Sequence, residues 1–134
     1  MNSAIICIGS NIPERREEML RHAEVFLSTI GHTRATSGVY ETAAETCTPG
    51  KYPTYLNSVI ALDCDLDLKE LIALVKHWEH EAGRSEDLNR QGLIAIDIDV
   101  VGWNGCIVRP EDFSRNYFQQ GYGIIMAEEK SVRS

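Results

Sequence analysis

The sequence has no apolar run that approaches the roughly 18 residues of a membrane-spanning helix. Residues 1–10 lack the positively charged region and the length of a signal peptide, so we expect a cytoplasmic protein. The 4 cysteines are widely spaced and form no Cys-x-x-Cys pair, which argues against a structural zinc site and fits a reducing compartment.

Basic residues are also few. The chain has 13 Lys and Arg against 20 Asp and Glu, which gives a net charge of -7. Nucleic-acid-binding and membrane-surface proteins usually carry a clustered basic face, so we expect neither kind of partner. Neither G-x-x-x-x-G-K-S/T nor G-x-G-x-x-G occurs, so any nucleotide site is of another kind. A phosphate ligand stays open, because a few arginines and a metal ion bind phosphate even inside an acidic protein.

The composition is typical of a packed globular domain, with 43% hydrophobic and 25% charged residues. A chain of 134 residues suits a single domain. We place that domain over residues 1–126 and expect a flexible tail over 127–134, where the sequence is polar. A monomer is the default expectation for its oligomeric state.

The hydrophobic pattern predicts elements in the order strand, helix, strand, strand, helix, strand. They span residues 4–9, 13–30, 32–42, 55–65, 67–83 and 93–103. This order is that of the ferredoxin-like βαββαβ arrangement in the α+β class, a four-stranded antiparallel sheet with two helices on one face. The stretches 43–54 and 84–92 are predicted loops, and the pattern is weak from residue 104 onwards.

Both predicted helices have candidate caps. Asn11 is a candidate N-cap for the first helix, with Glu14 three residues later, and Gly31 would end that helix. Asp67 and Glu70 have the spacing of a capping box at the start of the second helix.

Two aspartates interrupt the last predicted strand. Because alternate side chains of a strand point to the same face, Asp97 and Asp99 lie on one face, about 7 Å apart. Like charges at that spacing repel each other unless a positive group lies between them, and Mg²⁺ prefers carboxylate, water and phosphate oxygens. The other interpretation is a solvent-facing strand with alternating polar residues, because D-x-D is short and common.

Further charged residues lie just before this strand. Glu79 falls at the edge of the apolar face of the second helix, where its carboxylate needs a partner or must reach water. Arg84 and Arg90 offer guanidinium groups to a polyphosphate, or are solvated loop charges. His77 and His80 lie on the polar face of the helix and are expected to be solvated rather than metal ligands.

Five stretches carry a resemblance to a known family. They are "IGSN" (8–11), "VYET" (39–42), "YLNSVIAL" (55–62), "HWEHEAGR" (77–84) and "IDIDVVGW" (96–103). Together they resemble the 6-hydroxymethyl-7,8-dihydropterin pyrophosphokinase family, whose signature has two aspartates separated by an apolar residue. The resemblance implies a ferredoxin-like enzyme of folate biosynthesis. Its reaction moves the β,γ-pyrophosphate of ATP onto the hydroxymethyl group of the pterin and releases AMP.

The resemblance also implies roles for individual residues. Asp97 and Asp99 would be catalytic and would hold two Mg²⁺ ions, with Arg84 as a further catalytic group. The pterin-binding residues that it implies are Thr42, Tyr55, Asn57 and Asp97. The ATP-binding residues that it implies are Glu79, Arg84, Arg90 and Ile98.

The sequence departs from the family signature at three positions. Leu93 and Ile94 stand where the family has Pro and Arg, and Gln91 stands where an aromatic residue is usual. An isoleucine cannot replace a phosphate-binding arginine. Two alternatives therefore remain: a divergent homologue that binds a pterin or nucleotide without efficient catalysis, and a ferredoxin-like interaction domain. The C-terminal candidates for completing the site are Arg109, Arg115, Phe118 and Tyr122.

Overall fold

A computed structural model describes residues 1–44 and 50–133, with the side chains of residues 131–133 excepted. The predicted loop 43–54 is therefore described only in part, and Cys47 and Ser134 lie outside the described residues. The elements are β1 (Asn2–Ser10), α1 (Arg16–Ile30), β2 (His32–Thr36), β3 (Tyr40–Thr42), β4 (Tyr55–Cys64), α2 (Leu68–Glu81), α3 (Glu86–Arg90), β5 (Asp97–Trp103), β6 (Cys106–Ile107), α4 (Pro110–Phe113) and α5 (Asn116–Arg133).

The strands form one antiparallel sheet in the order β2-β4-β1-β5-β6, with β3 also paired to β4. The predicted α+β class and antiparallel sheet are confirmed. The predicted count of four strands is wrong, because the described residues form 6. The stretch 32–42 divides into β2 and β3 around Gly38, whose φ of 77° breaks the extended chain. The short strand β6 then pairs with the end of β5.

The central strand β1 is buried on both faces of the sheet. Ile6 and Ile8 lie in a first core with α1 and α2, whereas Cys7 lies in a second core on the opposite face. From α1 the first core receives Met19, Leu20, Ala23 and Leu27, and from α2 it receives Leu71 and Val75. Each fully buried aliphatic side chain stabilises the fold by about 1.5–3 kcal/mol.

The helix α5 covers the second face, which the sequence pattern did not predict. Phe118 and Ile125 are fully buried there against residues of β1, β4 and β5. Gly121 obscures the helical pattern, but it is required by packing, because a Cβ at this position would lie 2.5 Å from a methyl of Val59. The two predicted helices, α1 and α2, do lie on one face, and α5 adds an unpredicted helix on the other. The division into a domain over 1–126 and a flexible tail over 127–134 stays a prediction.

The predicted capping box at the start of α2 is confirmed. The Glu70 backbone N–H donates to the Asp67 carboxylate over 2.8 Å, and the Asp67 N–H donates to the Glu70 carboxylate over 3.1 Å. The predicted cap at Asn11 is wrong, since α1 begins at Arg16 and Asn11 bonds elsewhere. Gly31 does follow α1, but in an extended conformation, and a Cβ there would lie 2.6 Å from the Asp63 carbonyl oxygen.

Two boundaries near the aspartates also differ from expectation. The predicted loop 84–92 contains the short helix α3, whose first turn is capped by the Ser85 side chain. The predicted strand 93–103 begins only at Asp97, because the backbone of Leu93 bonds to Leu88 and that of Ile94 bonds to Asn11. Among the described residues, no helix is both long enough and apolar enough to cross a membrane.

Candidate active site

The two aspartates lie where β5 begins, beside the central strand. Asp97 pairs with Gly9 and Asp99 with Cys7 in the β1–β5 register. The Ile98 side chain between them is fully buried in the first core, so both carboxylates point to the opposite face, as the alternation predicts. Asp99 is only 8% exposed, and Asp97 is half-buried. An exposed polar strand therefore does not describe this segment.

The two carboxylates titrate as a pair. Burial, followed by the negative charge of Asp97 and a hydrogen bond to it, raises the pKa of Asp99 to about 7. Burial alone would also raise the pKa of Asp97, but the hydrogen bond from Asp99 and the charges of Arg84 and Lys76 outweigh it and lower that pKa. In the metal-free protein, Asp99 therefore keeps its proton to a higher pH than Asp97 does.

Arg84, Arg109 and Lys76 lie close to the pair. Arg84 Nη1 lies 2.7 Å from Asp97 Oδ1, and Arg109 Nη2 lies 3.8 Å from Asp99 Oδ1. The third cation is Lys76, whose Nζ lies 3.2 Å from Asp99 Oδ1 and 3.8 Å from Asp97 Oδ1. Burial alone would lower the pKa of this ammonium, but the charges of Asp99 and Asp97 outweigh it and raise the pKa.

Lys76 was missed by the sequence analysis. Its position three residues before Glu79 places both side chains on the same edge of α2, and this spacing was the available signal. Nothing in the sequence indicates that α2 packs at the edge of β5, which is what brings the ammonium to the aspartates.

Glu79 is the buried anchor between α2 and β5. Its side chain is 5% exposed, and one carboxylate oxygen accepts hydrogen bonds from the Ile98 N–H over 2.6 Å and from Lys76 over 3.0 Å. The other oxygen lies 3.4 Å from Arg84. Burial raises the pKa of Glu79, and these hydrogen bonds and the Lys76 charge partly offset that rise. Of the two interpretations, a partnered carboxylate describes Glu79 and one exposed to water does not.

A cavity of about 280 Å³ opens in front of the aspartates. It is lined by residues from four strands and the C-terminal helices: Cys7, Gly9, Thr42, Ala43, Tyr55, Asn57, Asp97, Asp99, Asp112, Arg115 and Tyr117. All four residues that were predicted to bind a pterin are among them. The Asn57 amide is 3% exposed and donates to the Thr42 hydroxyl over 2.7 Å, so one polar edge of the cavity is pre-arranged.

The C-terminal candidates separate into two groups. Arg115 lines the cavity, and Arg109 approaches Asp99 from outside it. Phe118 is fully buried in the second core and Tyr122 stacks on it at 5.3 Å, so neither ring faces the cavity. The aromatic residue that α5 does supply to the cavity is Tyr117, which the sequence analysis missed.

The predicted ATP-binding residues are not all brought together. Glu79 and Arg84 meet beside Asp97, as described above. Arg90 lies on the exposed side of α3, where it pairs with Asp87. The Ile98 side chain is buried, and its backbone N–H and carbonyl bond to Glu79 and Lys76. His77 is exposed, with Glu81 as its nearest ionic partner at 3.9 Å.

Most of the chain matches one known protein family. The sequence profile of the family "7,8-dihydro-6-hydroxymethylpterin-pyrophosphokinase (HPPK)" matches residues 5–122, most of the chain. The chain belongs to this pyrophosphokinase family. The resemblance drawn from the five sequence stretches is thereby confirmed.

The curated relatives of this pyrophosphokinase-family chain are named as a pyrophosphokinase or as folate synthesis proteins. The chain is 32% identical over 98 residues to the 2-amino-4-hydroxy-6-hydroxymethyldihydropteridine pyrophosphokinase of Pseudomonas aeruginosa, and the matched region covers 72% of this chain and 58% of that protein. It is 29% identical over 107 residues to the mitochondrial folate synthesis bifunctional protein of Pisum sativum, which covers 80% and 20%. The folic acid synthesis protein FOL1 of Dictyostelium discoideum is 26% identical over 111 residues, with 83% and 16% covered. The chain thus spans less than two thirds of each relative.

The pyrophosphokinase signature of this chain is held in place by the stretch "IGSN". The buried Asn11 accepts a hydrogen bond from the Ile94 N–H over 2.6 Å and donates to the Gly92 carbonyl over 2.9 Å. Ser10 donates to the Ile94 carbonyl over 3.2 Å. Asn11 therefore fixes the turn that leads into Asp97, a role in place of the predicted helix cap.

The donor set of this pyrophosphokinase-family chain suits Mg²⁺. Asp97 and Asp99 present carboxylates to a cavity, and Mg²⁺ is commonly bound by one or two carboxylates that leave positions for water and phosphate. In the described part of the chain, no group of three or more His, Cys, Asp or Glu side chains is arranged to hold a metal ion. Asp97 and Asp99 would hold the ion through carboxylate oxygens that face the cavity.

Proposed function

We propose that the chain transfers the β,γ-pyrophosphate of ATP to the hydroxymethyl group of 6-hydroxymethyl-7,8-dihydropterin and releases AMP, with a ferredoxin-like fold as its scaffold. The observation that carries this proposal is that one cavity contains Thr42, Tyr55 and Asn57 together with both signature aspartates. Membership of the pyrophosphokinase family supports the same reaction.

The polar wall of the cavity supports a flat heterocycle with hydrogen-bonding edges. The Asn57 amide and the Thr42 hydroxyl already bond each other, so their remaining lone pairs and N–H are aimed by that contact. Tyr55 and Tyr117 supply aromatic surface to the same cavity. A Cβ at Gly9 would lie 3.0 Å from the side-chain oxygen of Asn57, so glycine there leaves room for that side-chain amide.

The aspartates and the nearby arginines would serve the phosphate side of the reaction. Asp97 and Asp99 would hold Mg²⁺, which when bound neutralises charge on the phosphates and orients them. Arg84 carries a guanidinium group that is 28% exposed at the edge of the site, where it can exchange Asp97 for phosphate oxygens.

The proposed transfer balances as a substitution at phosphorus. The pterin hydroxyl oxygen forms a bond to the β-phosphorus, the bond from that phosphorus to the α,β-bridging oxygen breaks, and AMP leaves with that oxygen. The hydroxyl proton passes to solvent. The roles of Asn57 and Thr42 are to bind and orient the acceptor, so that its hydroxyl faces the phosphate.

The test measures, by chromatography, how much AMP the protein forms from ATP, Mg²⁺ and the hydroxymethylpterin. We expect AMP from the wild type and a loss of at least 100-fold in Asp97→Asn and Asp99→Asn. Asp87→Asn is the matched control, because the Asp87 side chain is 83% exposed on α3, where its carboxylate pairs with Arg90. Absence of AMP above background in the wild type would overturn the proposal.

Membership of the pyrophosphokinase family does not favour the second candidate function, binding without efficient transfer, for which Ile94 is the reason to test it. Ile94 is half-buried and hydrocarbon, so it cannot bind phosphate where the family has arginine. Calorimetry separates the two candidates: heat of binding for ATP with Mg²⁺, in a protein that forms no AMP, would support the binding function.

A further inference from the structure

Lys76 occupies a position between the helix α2 and the two aspartates that resembles a cation site. Its Nζ lies 2.9 Å from the Ile98 carbonyl oxygen, 3.0 Å from Glu79 Oε2 and 3.2 Å from Asp99 Oδ1. An ammonium group has three N–H donors, and here three oxygen atoms accept them. Asp97 Oδ1 lies slightly farther away, at 3.8 Å.

The acceptors of Lys76 are held by the fold and not by the lysine. The Ile98 carbonyl belongs to the strand β5, and the Glu79 carboxylate is fixed by the Ile98 N–H over 2.6 Å. The lysine side chain itself is 42% exposed, so its ammonium reaches this position from the surface of α2. The oxygen atoms are therefore positioned by the fold, and either an ammonium group or a metal ion would fit among them.

The Lys76 ammonium occupies the Oδ1 side of both aspartates. Asp99 Oδ1 is bonded to Lys76 over 3.2 Å, and Asp97 Oδ1 lies 3.8 Å from the same Nζ. A single Mg²⁺ shared by the aspartates would use one other oxygen of each, in place of the hydrogen bond between the two carboxyl groups. A second divalent ion at the Oδ1 atoms would lie within a few ångströms of the ammonium, which repels it with little screening in this partly buried site.

We propose that the Lys76 ammonium fills one of the two cation positions at Asp97 and Asp99, so that this chain takes up one divalent cation with ATP. The proposal rests on the proposed function, because it assumes that ATP binds at these aspartates. Lys76 is then a positioning residue: it orients Asp99 and supplies positive charge, and it sets the number of metal ions.

The test counts bound Mn²⁺ in the presence of α,β-methylene ATP, which cannot release AMP. Equilibrium dialysis gives the number of Mn²⁺ ions per bound nucleotide, and electron paramagnetic resonance detects the dipolar broadening of a Mn²⁺ pair. We expect one ion in the wild type and two, with broadening, in Lys76→Met. Lys76→Arg should stay at one, because it keeps the charge, and it also guards against misfolding of the first variant.

Lys69→Met is the matched control, since Lys69 is an exposed lysine in the first turn of the same helix. It should bind one ion. Two coupled ions in the wild type, or one in Lys76→Met, would overturn the inference about Lys76 and leave the proposed function standing. No bound Mn²⁺ in any of the four proteins would overturn the metal site itself, and with it both proposals.

Discussion

Replacing Glu79 with alanine removes the anchor between α2 and β5. The Ile98 N–H loses its acceptor at a buried position, which costs about 1–3 kcal/mol. Lys76 and Arg84 lose a partner as well, but their side chains are 42% and 28% exposed, so water offsets part of that loss. We expect the free energy of unfolding to fall by about 3 kcal/mol in total, which corresponds to a decrease in Tm of about 10 °C.

Urea denaturation followed by circular dichroism measures this change. Glu79→Gln keeps an oxygen for the Ile98 N–H and should lose only about half as much. Glu81→Ala is the control, because Glu81 lies two residues on, is 66% exposed and has only a 3.9 Å contact with His77. It should change the free energy of unfolding by less than about 0.5 kcal/mol. An equally small effect of Glu79→Ala would refute the anchoring role.

Cys7, Asp99 and Asn11 are also buried residues whose surroundings predict a measurable effect. Burial raises the pKa of the Cys7 thiol, so at pH 8 a thiol reagent should label the exposed Cys106 and spare Cys7, as peptide mapping by mass spectrometry would show; equal labelling would contradict the burial. The folded pKa of Asp99 is about 7, against 3.8 for the free side chain, so the stability that protonated Asp99 contributes is complete below about pH 4 and is lost as the pH rises through 7. In metal-free protein, Asp99→Asn should therefore raise Tm at pH 8 and raise it much less at pH 5. A rise in Tm that does not depend on pH would contradict the pairing of Asp97 with Asp99. Asn11→Ala removes two buried hydrogen bonds and should lower the free energy of unfolding by about 2–3 kcal/mol in urea titrations, whereas a change under about 0.5 kcal/mol would show that Ile94 is held by other contacts.

Local patterns predicted the parts of the fold that depend on neighbours along the chain. The capping box of Asp67 and Glu70 and the buried strand β1 were predicted because a helix turn and a strand pleat are short-range features. The helix α5 was not predicted. Its Gly121 has low helix propensity, and only the approach of Val59 explains why a glycine is needed there.

The same division holds for the candidate site. Thr42, Asn57 and the two aspartates, which line one cavity, were predicted as binding residues because each lies in a stretch that resembles the family. Tyr117 was missed, because which side of α5 faces the cavity depends on how that helix packs across the second face of the sheet.

By itself, the sequence determined the alternation that puts Asp97 and Asp99 on one face, together with the motifs that place the chain in its family. Only the tertiary structure decided what surrounds that pair. Lys76 and Arg109 come from segments 23 and 10 residues away from Asp99, and Asn11 bonds to a residue 83 positions later. Such contacts depend on the packing of helices against the edge of a sheet, and hydrophobic period and capping signals carry no information about that packing.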